Sequence, residues 1–331
     1  MRRALEQARR GLGRTTPNPI VGATIVTDEG VVVGDGAHER AGEPHAEIHA
    51  LDEAGERARG ATLYCTLEPC SHAGRTGPCT ERIIAAGIKR VVAAMEDPFP
   101  LVSGRGFARL RAHGIDVVEG VGKDESLRLN QPFLTAVRDG RPFVIVKAAT
   151  SIDGRIAAAP GVRTQLTSSA ANRRVQYLRA QVDAIGIGSG TLLVDDPLLT
   201  VRDVYRERPL LRVIFDRRRR TPRDARVFST LEQGPVRMVG SADDDLQSVL
   251  RQLASEGVQS MLLEGGAQLH AAAWDADVVD YVQLYVTPVA LGPSGIPLFG
   301  GRPWSLSSLI DPRVELLGPD TLIEGYVHRP R

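Results

Sequence analysis

Two successive α/β domains are the fold class that the sequence predicts, and three observations carry the prediction. Strand-like apolar runs alternate with helical stretches along the whole chain. The turn formers Asp139, Gly140, Arg141 and Pro142 interrupt that alternation. A length of 331 residues is about two domains' worth. With 42% hydrophobic and 24% charged residues, each half has the composition to bury an ordinary core. The boundary is therefore placed to give domains 1–140 and 141–331.

In the first half, helical periodicity marks Arg3 to Gly11. Strand-like runs over Ile20 to Thr27 and Val31 to Val33 flank Asp28, Glu29 and Gly30, which reads as a hairpin. Pro44 stands where a first helical residue belongs, because its missing N–H would be unpaired there anyway, and the helix Ala46 to Arg57 follows. Ala61 to Leu67 returns to strand. A helix from Cys79 is stopped after Ala86 by Gly87. Strand Lys89 to Met95, helix Gly104 to Ala112, strand Ile115 to Val118 and a single helix Asp124 to Arg138 complete the domain. The second half opens with strand Phe143 to Ala148 and adds helix Ala170 to Gln181. Strands over Ala184 to Ile187, Leu211 to Phe215, Ser260 to Leu263 and Val279 to Val286 follow. Runs at Arg313 to Leu317 and Leu322 to His328 have no helix between them, which predicts a mixed sheet at that end.

Charge and cysteine content exclude several classes of function. Lys plus Arg number 41 against 40 Asp plus Glu, and aromatics make up only 5%, so no polyanion-binding surface is indicated. No apolar run reaches the roughly 18 residues of a membrane helix, and Met1 to Arg10 carries four arginines without an apolar signal core. These features point to the cytoplasm. Three cysteines cannot form a disulfide framework in a chain of this length, which directs attention to metal binding or catalysis. Homo-oligomerisation is compatible with the sequence and is not fixed by it.

The chemical signal is His45-Ala46-Glu47, followed by Pro69-Cys70 and then, after eight intervening residues, Cys79. One imidazole and two thiolates suit zinc, and three protein ligands leave a fourth position for water, as in a catalytic site. Both cysteines are expected at or near helix starts, where the peptide dipole favours thiolate. Glu47, which is not a ligand in this pattern, is the candidate proton carrier. The arrangement matches H-x-E with P-C-x-x-C of zinc deaminases apart from the longer cysteine spacing. A zincin-like pairing of His45 with His49 would need Glu directly after the first histidine, and Ala46 stands there. Cys65, inside an apolar strand, reads as core.

At this level of detail a family becomes apparent. Thr16-Pro17-Asn18-Pro19-Ile20-Val21-Gly22, Gly42-Glu43-Pro44-His45-Ala46-Glu47, Thr66-Leu67-Glu68-Pro69-Cys70-Ser71-His72 and Gly74-Arg75-Thr76-Gly77-Pro78-Cys79 resemble the deaminase half of the bifunctional riboflavin-biosynthesis deaminase/reductases. Lys147-Ala148-Ala149-Thr150-Ser151-Ile152-Asp153-Gly154-Arg155, Gly190-Thr191-Leu192-Leu193-Val194-Asp195-Asp196-Pro197, Leu199-Thr200-Val201-Arg202 and Leu263-Glu264-Gly265-Gly266 resemble the reductase half. The cysteine spacing is usual in that family. The resemblance implies a cytidine-deaminase-like α/β sandwich followed by a dihydrofolate-reductase-like domain. It also implies two steps on a phosphoribosylaminopyrimidine: hydrolysis of a ring amino group with zinc, then reduction of the ribose to ribitol by NADPH. Zinc would be held by His45, Cys70 and Cys79, with Glu47 carrying the proton. Asn18, His38, His72, Arg75 and Asp97 fall at deaminase substrate positions, and Arg75 offers a fork to the phosphate. Phe99 departs from the family's usual Asp-Pro-Asn-Pro at this point.

In the reductase half, Gly186-Ile187-Gly188-Ser189-Gly190 fails the G-x-G-x-x-G fingerprint because Thr191 takes the third glycine's place, so a Rossmann reading is rejected. The resemblance instead places Ala149, Thr191, Asp195, Gly265 and Gly266 near NADPH, the glycine pair opening a helix as a phosphate cradle. Arg179, Leu199, Arg202 and Glu264 fall at substrate positions, with both arginines suited to the ribose phosphate. Lys147 and Glu264 are the candidates for assisting sugar opening. Arg163 and Gln165 replace the family's usual Ser and Trp. The run Arg217-Arg218-Arg219-Arg220 reads either as a solvated loop or as a contact for the extra phosphate of NADPH. Two rivals stand beside this reading: a related enzyme for a different aminopyrimidine, and a nucleic-acid base deaminase.

Overall fold

In a computed structural model, which describes residues 1–71, 77–99, 103–241 and 244–330, the chain divides into two units, Met1–Arg138 and Asp139–Pro330. The first begins with helix α1 (Arg2–Ala8). Strands β1 (Gly22–Val26) and β2 (Val32–Ala37) make the expected antiparallel hairpin. Helix α2 (Ala46–Ala54) leads to β3 (Thr62–Cys65), which runs antiparallel to β1. Helix α3 (Cys79–Ala85), β4 (Arg90–Ala93), helix α4 (Arg105–Ala112) and β5 (Asp116–Glu119) continue as parallel crossovers. The described strands form one sheet in the order β2-β1-β3-β4-β5.

Two glycine approaches make this sheet the centre of a sandwich. A Cβ on Gly36 would lie 1.9 Å from Ala46 O, so α2 rests directly on β2. A Cβ on Gly22 would lie 2.0 Å from Ala4 O. Gly22 pairs with Ala37 and so faces away from Gly36, which puts α1 on the opposite face. Ile25, Leu63 and Val91 of the sheet and Ile83 and Leu110 of the helices are fully buried between these layers.

The expected single helix over 124–138 is two helices, α5 (Lys123–Leu129) and α6 (Gln131–Asp139). The break is at Asn130, whose side chain accepts from Ile20 N at 2.7 Å and donates to Ile20 O at 3.0 Å. Pro132, which has no N–H to donate, sits in the first turn of α6, where none is needed. Apolar periodicity runs through such a junction unbroken, which is why it reads as one helix.

The second unit opens with β6 (Phe143–Ser151), a short β7 (Arg155–Ala157) and helix α7 (Ser169–Gln181), whose first turn is capped by Ser168 Oγ accepting from Ala171 N at 3.3 Å. Then come β8 (Ala184–Gly188), α8 (Ser189–Asp195), β9 (Leu211–Phe215), β10 (Val236–Val239), α9 (Leu246–Ser255), β11 (Ser260–Gly265) and α10 (Ala267–Asp275). The chain ends with β12 (Tyr281–Thr287), β13 (Ile296–Pro297), β14 (Ile310–Leu317) and β15 (Asp320–Tyr326). The main sheet runs β10-β9-β8-β11-β6-β12-β15-β14. It is parallel from β10 to β12 and antiparallel over its last two strands, as the uninterrupted final runs implied. No described helix is long and apolar enough to cross a membrane.

Candidate active sites

In the first unit, the sheet and two loops bring the three zinc-ligand candidates together. His45 caps α2 in an extended conformation and Cys79 opens α3. Cys70 lies in the loop beyond β3 and not at a helix start, which corrects the sequence expectation. The dipole argument survives in another form, because the helix-opening Cys79 N–H donates to Cys70 Sγ at 3.4 Å. His45 Nδ1 stands 3.2 Å from Cys79 Sγ and 3.6 Å from Cys70 Sγ. The three donor atoms lie within 4.8 Å of one another, and His49 is not in this cluster. Cys65 is fully buried in the core.

These donors share protons. The hydrogen bond with Cys79 and the neighbouring imidazole pull Cys70 down to about 4 against the opposing effect of burial. The same contact, with burial, pushes the Cys79 thiol well up. The hydrogen bond to Cys70 pushes His45 up to about 9. A divalent cation that binds these atoms displaces such protons, and one imidazole with two sulfurs is a zinc donor set, so the residues fit the metal. Glu47, in the first turn of α2, is 3% exposed, and burial raises its carboxyl above the ordinary value. Its Oε2 is buried without a hydrogen-bond partner, the state of a group kept for a ligand.

A cavity of about 300 Å³ opens over Glu47 and Cys70, lined also by Asn18, His38, Asp97 and Phe99. Asn18 Nδ2 is 3.0 Å from His38 Nε2, and His38 Nδ1 is 3.2 Å from Pro44 O. Burial pushes the His38 imidazole below its ordinary value. Asp97 accepts from Phe99 N at 2.8 Å. Phe99 is 41% exposed and presents an aromatic face where the family's amide stands. His72 and Arg75 lie outside the described residues.

Sequence reasoning gave Glu68 no role, yet its buried carboxylate organises this rim. It accepts from Asp97 N at 3.2 Å, Gly104 N at 3.0 Å, Gly106 N at 2.8 Å and Phe107 N at 3.3 Å. It thereby ties the start of α4 to the residue two before Cys70. An acid immediately preceding Pro69-Cys70 was the available signal.

In the second unit, Ala149, Thr191, Glu264, Gly265 and Gly266 gather where the parallel strands β6, β8 and β11 end. The chain leaves β8 towards β9 and returns on its other side as β11, so this is the crevice in which open α/β sheets bind ligands. A Cβ on Gly266, at φ +86°, would come within 2.9 Å of Thr191 Oγ1, so the first turn of α8 and the start of α10 meet closely because glycine is there. Gly186, by contrast, faces Phe215, Leu263 and Met261 and serves packing. Asp195 ends α8 with Arg163 Nε at 4.0 Å, and burial raises its carboxyl. Gln165 Nε2 donates to Thr167 O at 3.2 Å. Of the four consecutive arginines, Arg220 donates to Ser189 Oγ at 2.9 Å beside the β8 turn.

The polar centre of this unit differs from expectation in two respects. The sequence suits Arg179 to the ribose phosphate, but its Nε and Nη2 both contact Glu264 at 2.6 Å, and Nη1 donates to Thr200 O at 2.8 Å, so its fork is committed. Arg202 is exposed. The sequence makes Glu264, together with Lys147, a candidate for assisting sugar opening. Burial alone would raise its carboxyl, but Arg179 and Lys147 outweigh burial and hold it below the ordinary value, hence ionised. Lys147 is the group that can change protonation: burial lowers its amine while Glu264 partly opposes this, and its Nζ is 5.6 Å from the Tyr285 ring centre. Leu199 has φ +55° and a buried side chain.

Fold and site together define a zinc-binding deaminase domain followed by a reductase domain. Residues 1–95 match the cytidine and deoxycytidylate deaminase zinc-binding region, and residues 142–327 match the RibD C-terminal domain. The chain belongs to the RibD family of bifunctional deaminase/reductases in riboflavin biosynthesis. It is 42% identical over 324 residues to riboflavin biosynthesis protein RibD of Escherichia coli K12, covering 88% of each chain. Among solved structures, Acinetobacter baumannii RibD superposes with a TM-score of 0.87 at 37% identity, covering 99% of this chain and 98% of that one. The Thermotoga maritima diaminohydroxyphosphoribosylaminopyrimidine deaminase/5-amino-6-(5-phosphoribosylamino)uracil reductase gives 0.88 at 36% identity, covering 98% and 97%.

Proposed function

We propose that the first unit hydrolytically deaminates 2,5-diamino-6-(5-phosphoribosylamino)pyrimidin-4-one. The second then reduces the ribose with NADPH, giving 5-amino-6-(5-phosphoribitylamino)uracil. The observation that carries this reading is the convergence of His45, Cys70 and Cys79 beside a buried, partnerless Glu47 Oε2. Those three residues would hold zinc, which would supply Lewis acidity and lower the pKa of a water at neutral pH. Glu47 Oε2 takes up a proton from the attacking side and delivers it to the departing amino nitrogen, a transfer that a raised carboxyl pKa suits. Asn18 and Asp97 offer directional hydrogen bonds to the heterocycle.

In the second unit, NADPH supplies hydride when bound in the crevice formed by Thr191, Asp195, Gly265 and Gly266 with Ala149. Lys147 Nζ donates a proton to the sugar ring oxygen as the ring opens. Glu264, oriented by Arg179, stabilises the charged amine, and Arg202 pairs with the substrate phosphate. The near-equal balance of 41 basic and 40 acidic residues favours a small-molecule substrate over nucleic acid, and we place both steps in the cytoplasm. Purified protein given the diaminopyrimidine phosphate should release ammonia without NADPH. It should oxidise NADPH only with the deaminated product. Absence of ammonia release, or NADPH oxidation that ignores the substrate, would refute the corresponding half.

A further inference from the structure

His38 falls at a position that the family resemblance assigns to substrate contact, yet neither of its ring nitrogens is free to make one. Nδ1 lies 3.2 Å from Pro44 O, Nε2 lies 3.0 Å from Asn18 Nδ2, and the residue is only 2% exposed. A carbonyl oxygen only accepts, so Nδ1 carries the proton of the neutral ring and Nε2 is left as an acceptor. That acceptor can be satisfied only by the NH2 end of Asn18. The choice of amide end is thereby made before any ligand arrives. The amide's Oδ1, an acceptor, is the end left for the cavity that Asn18 lines.

We infer that His38 is a positioning residue that acts through Asn18, fixing that amide so its oxygen faces a hydrogen-bond donor on the heterocycle. An amino-bearing ring supplies such a donor, whereas a rotated amide would set N–H against N–H and leave a buried donor unpaired. The same imidazole reaches the metal side of the site. Pro44 directly precedes His45, and the His38 ring stands edge-on to the His45 ring, with centroids 5.3 Å apart at 83°. One side chain therefore links the substrate-facing amide to the loop that delivers a zinc ligand. This inference rests on the deaminase reading of the first unit.

A double-mutant cycle on the full-length, zinc-loaded protein tests it. The kcat/KM for ammonia release is compared among wild type, His38→Phe, Asn18→Ala and the double variant, each checked for stoichiometric zinc. If His38 works through Asn18, each single change lowers kcat/KM by about ten- to a hundredfold, and the double variant is no worse than Asn18→Ala alone. Losses that multiply would mean that His38 acts by a route other than Asn18 and would overturn the inference. A second measurement does not depend on activity. Two-bond proton–nitrogen correlation spectra of the wild type, with His38 assigned by its absence in His38→Phe, should show Nδ1 protonated and Nε2 bare. The opposite tautomer, or a doubly protonated ring, would overturn it whatever the kinetics. Should the wild type release no ammonia at all, the deaminase reading fails, while the tautomer still decides the polarity of the amide.

Discussion

Glu47 and Cys79 lie on facing helices beside one cluster, yet their losses should separate cleanly. Glu47 is not among the clustered donors, so Glu47→Gln should abolish ammonia release while leaving zinc bound. Cys79→Ser should lose the metal, because a thiolate ligand is replaced by a hydroxyl that does not ionise near neutral pH. Metal analysis of both variants decides this, and a zinc-free Glu47→Gln would make the carboxylate a ligand. In the second unit the sign of a pH effect can be worked out. On the proposed role of Lys147 as an ammonium donor, NADPH oxidation is lost as pH rises through its pKa. Glu264 raises that pKa, and removing its charge lets burial push the amine lower still. Glu264→Gln should therefore move the alkaline limb of the pH–rate profile to lower pH, besides lowering kcat. Arg202→Ala should leave that limb in place and raise KM by about ten- to a hundredfold, the range expected for losing hydrogen bonds between charged partners.

At the scale of elements, β10 and the helices α8 and α9 escaped the sequence reading, which marked only the start of α10, but the other strands of the two main sheets were legible because each buried strand is a short apolar run between turn formers. So was the metal cluster, whose donors come from local motifs that a sequence shows directly. What else was not legible depends on side chains reaching across the fold. The kink at Asn130 is made by Ile20, more than a hundred positions away, and apolar spacing carries no trace of it. Arg179 looked like a phosphate ligand because nothing in its own helix announces Glu264 on β11. Glu68 is the clearest case, an acid whose partners are main-chain N–H groups and so have no side-chain signature. Replacing it with Gln swaps one acceptor oxygen for an amide that points N–H at N–H, at a cost of about 1–3 kcal/mol. Heat inactivation of ammonia release should shift to lower temperature in Glu68→Gln, with that of NADPH oxidation unchanged. An equal shift of both activities would show that Glu68 does not act through its own unit.

For the whole molecule, the decisive feature is that each unit closes a core of its own. Ile25, Leu63, Val91 and Leu110 bury one another in the first, while Val146, Val213, Leu263 and Val282 do so in the second. The start of the second unit is also anchored within it: Arg141 Nη1 and Nη2 donate to Asp280 at 2.6 and 2.8 Å, and Val144 N donates to the same carboxylate at 2.8 Å. Gly140, at φ +64°, precedes that anchor and is the least costly place to open the chain. Fragments 1–140 and 141–331 should accordingly fold separately. The first should bind zinc and release ammonia without NADPH, and the second should oxidise NADPH with the deaminated substrate in the presence of a zinc chelator. Replacing Arg141 with Ala in the second fragment should weaken it, because Asp280 would lose its guanidinium partner and stay largely buried with its charge uncompensated. Insolubility of both fragments would show that the two cores are not self-sufficient. Chelator-sensitive NADPH oxidation by the second fragment would show instead that the metal has a role outside the His45–Cys79 cluster.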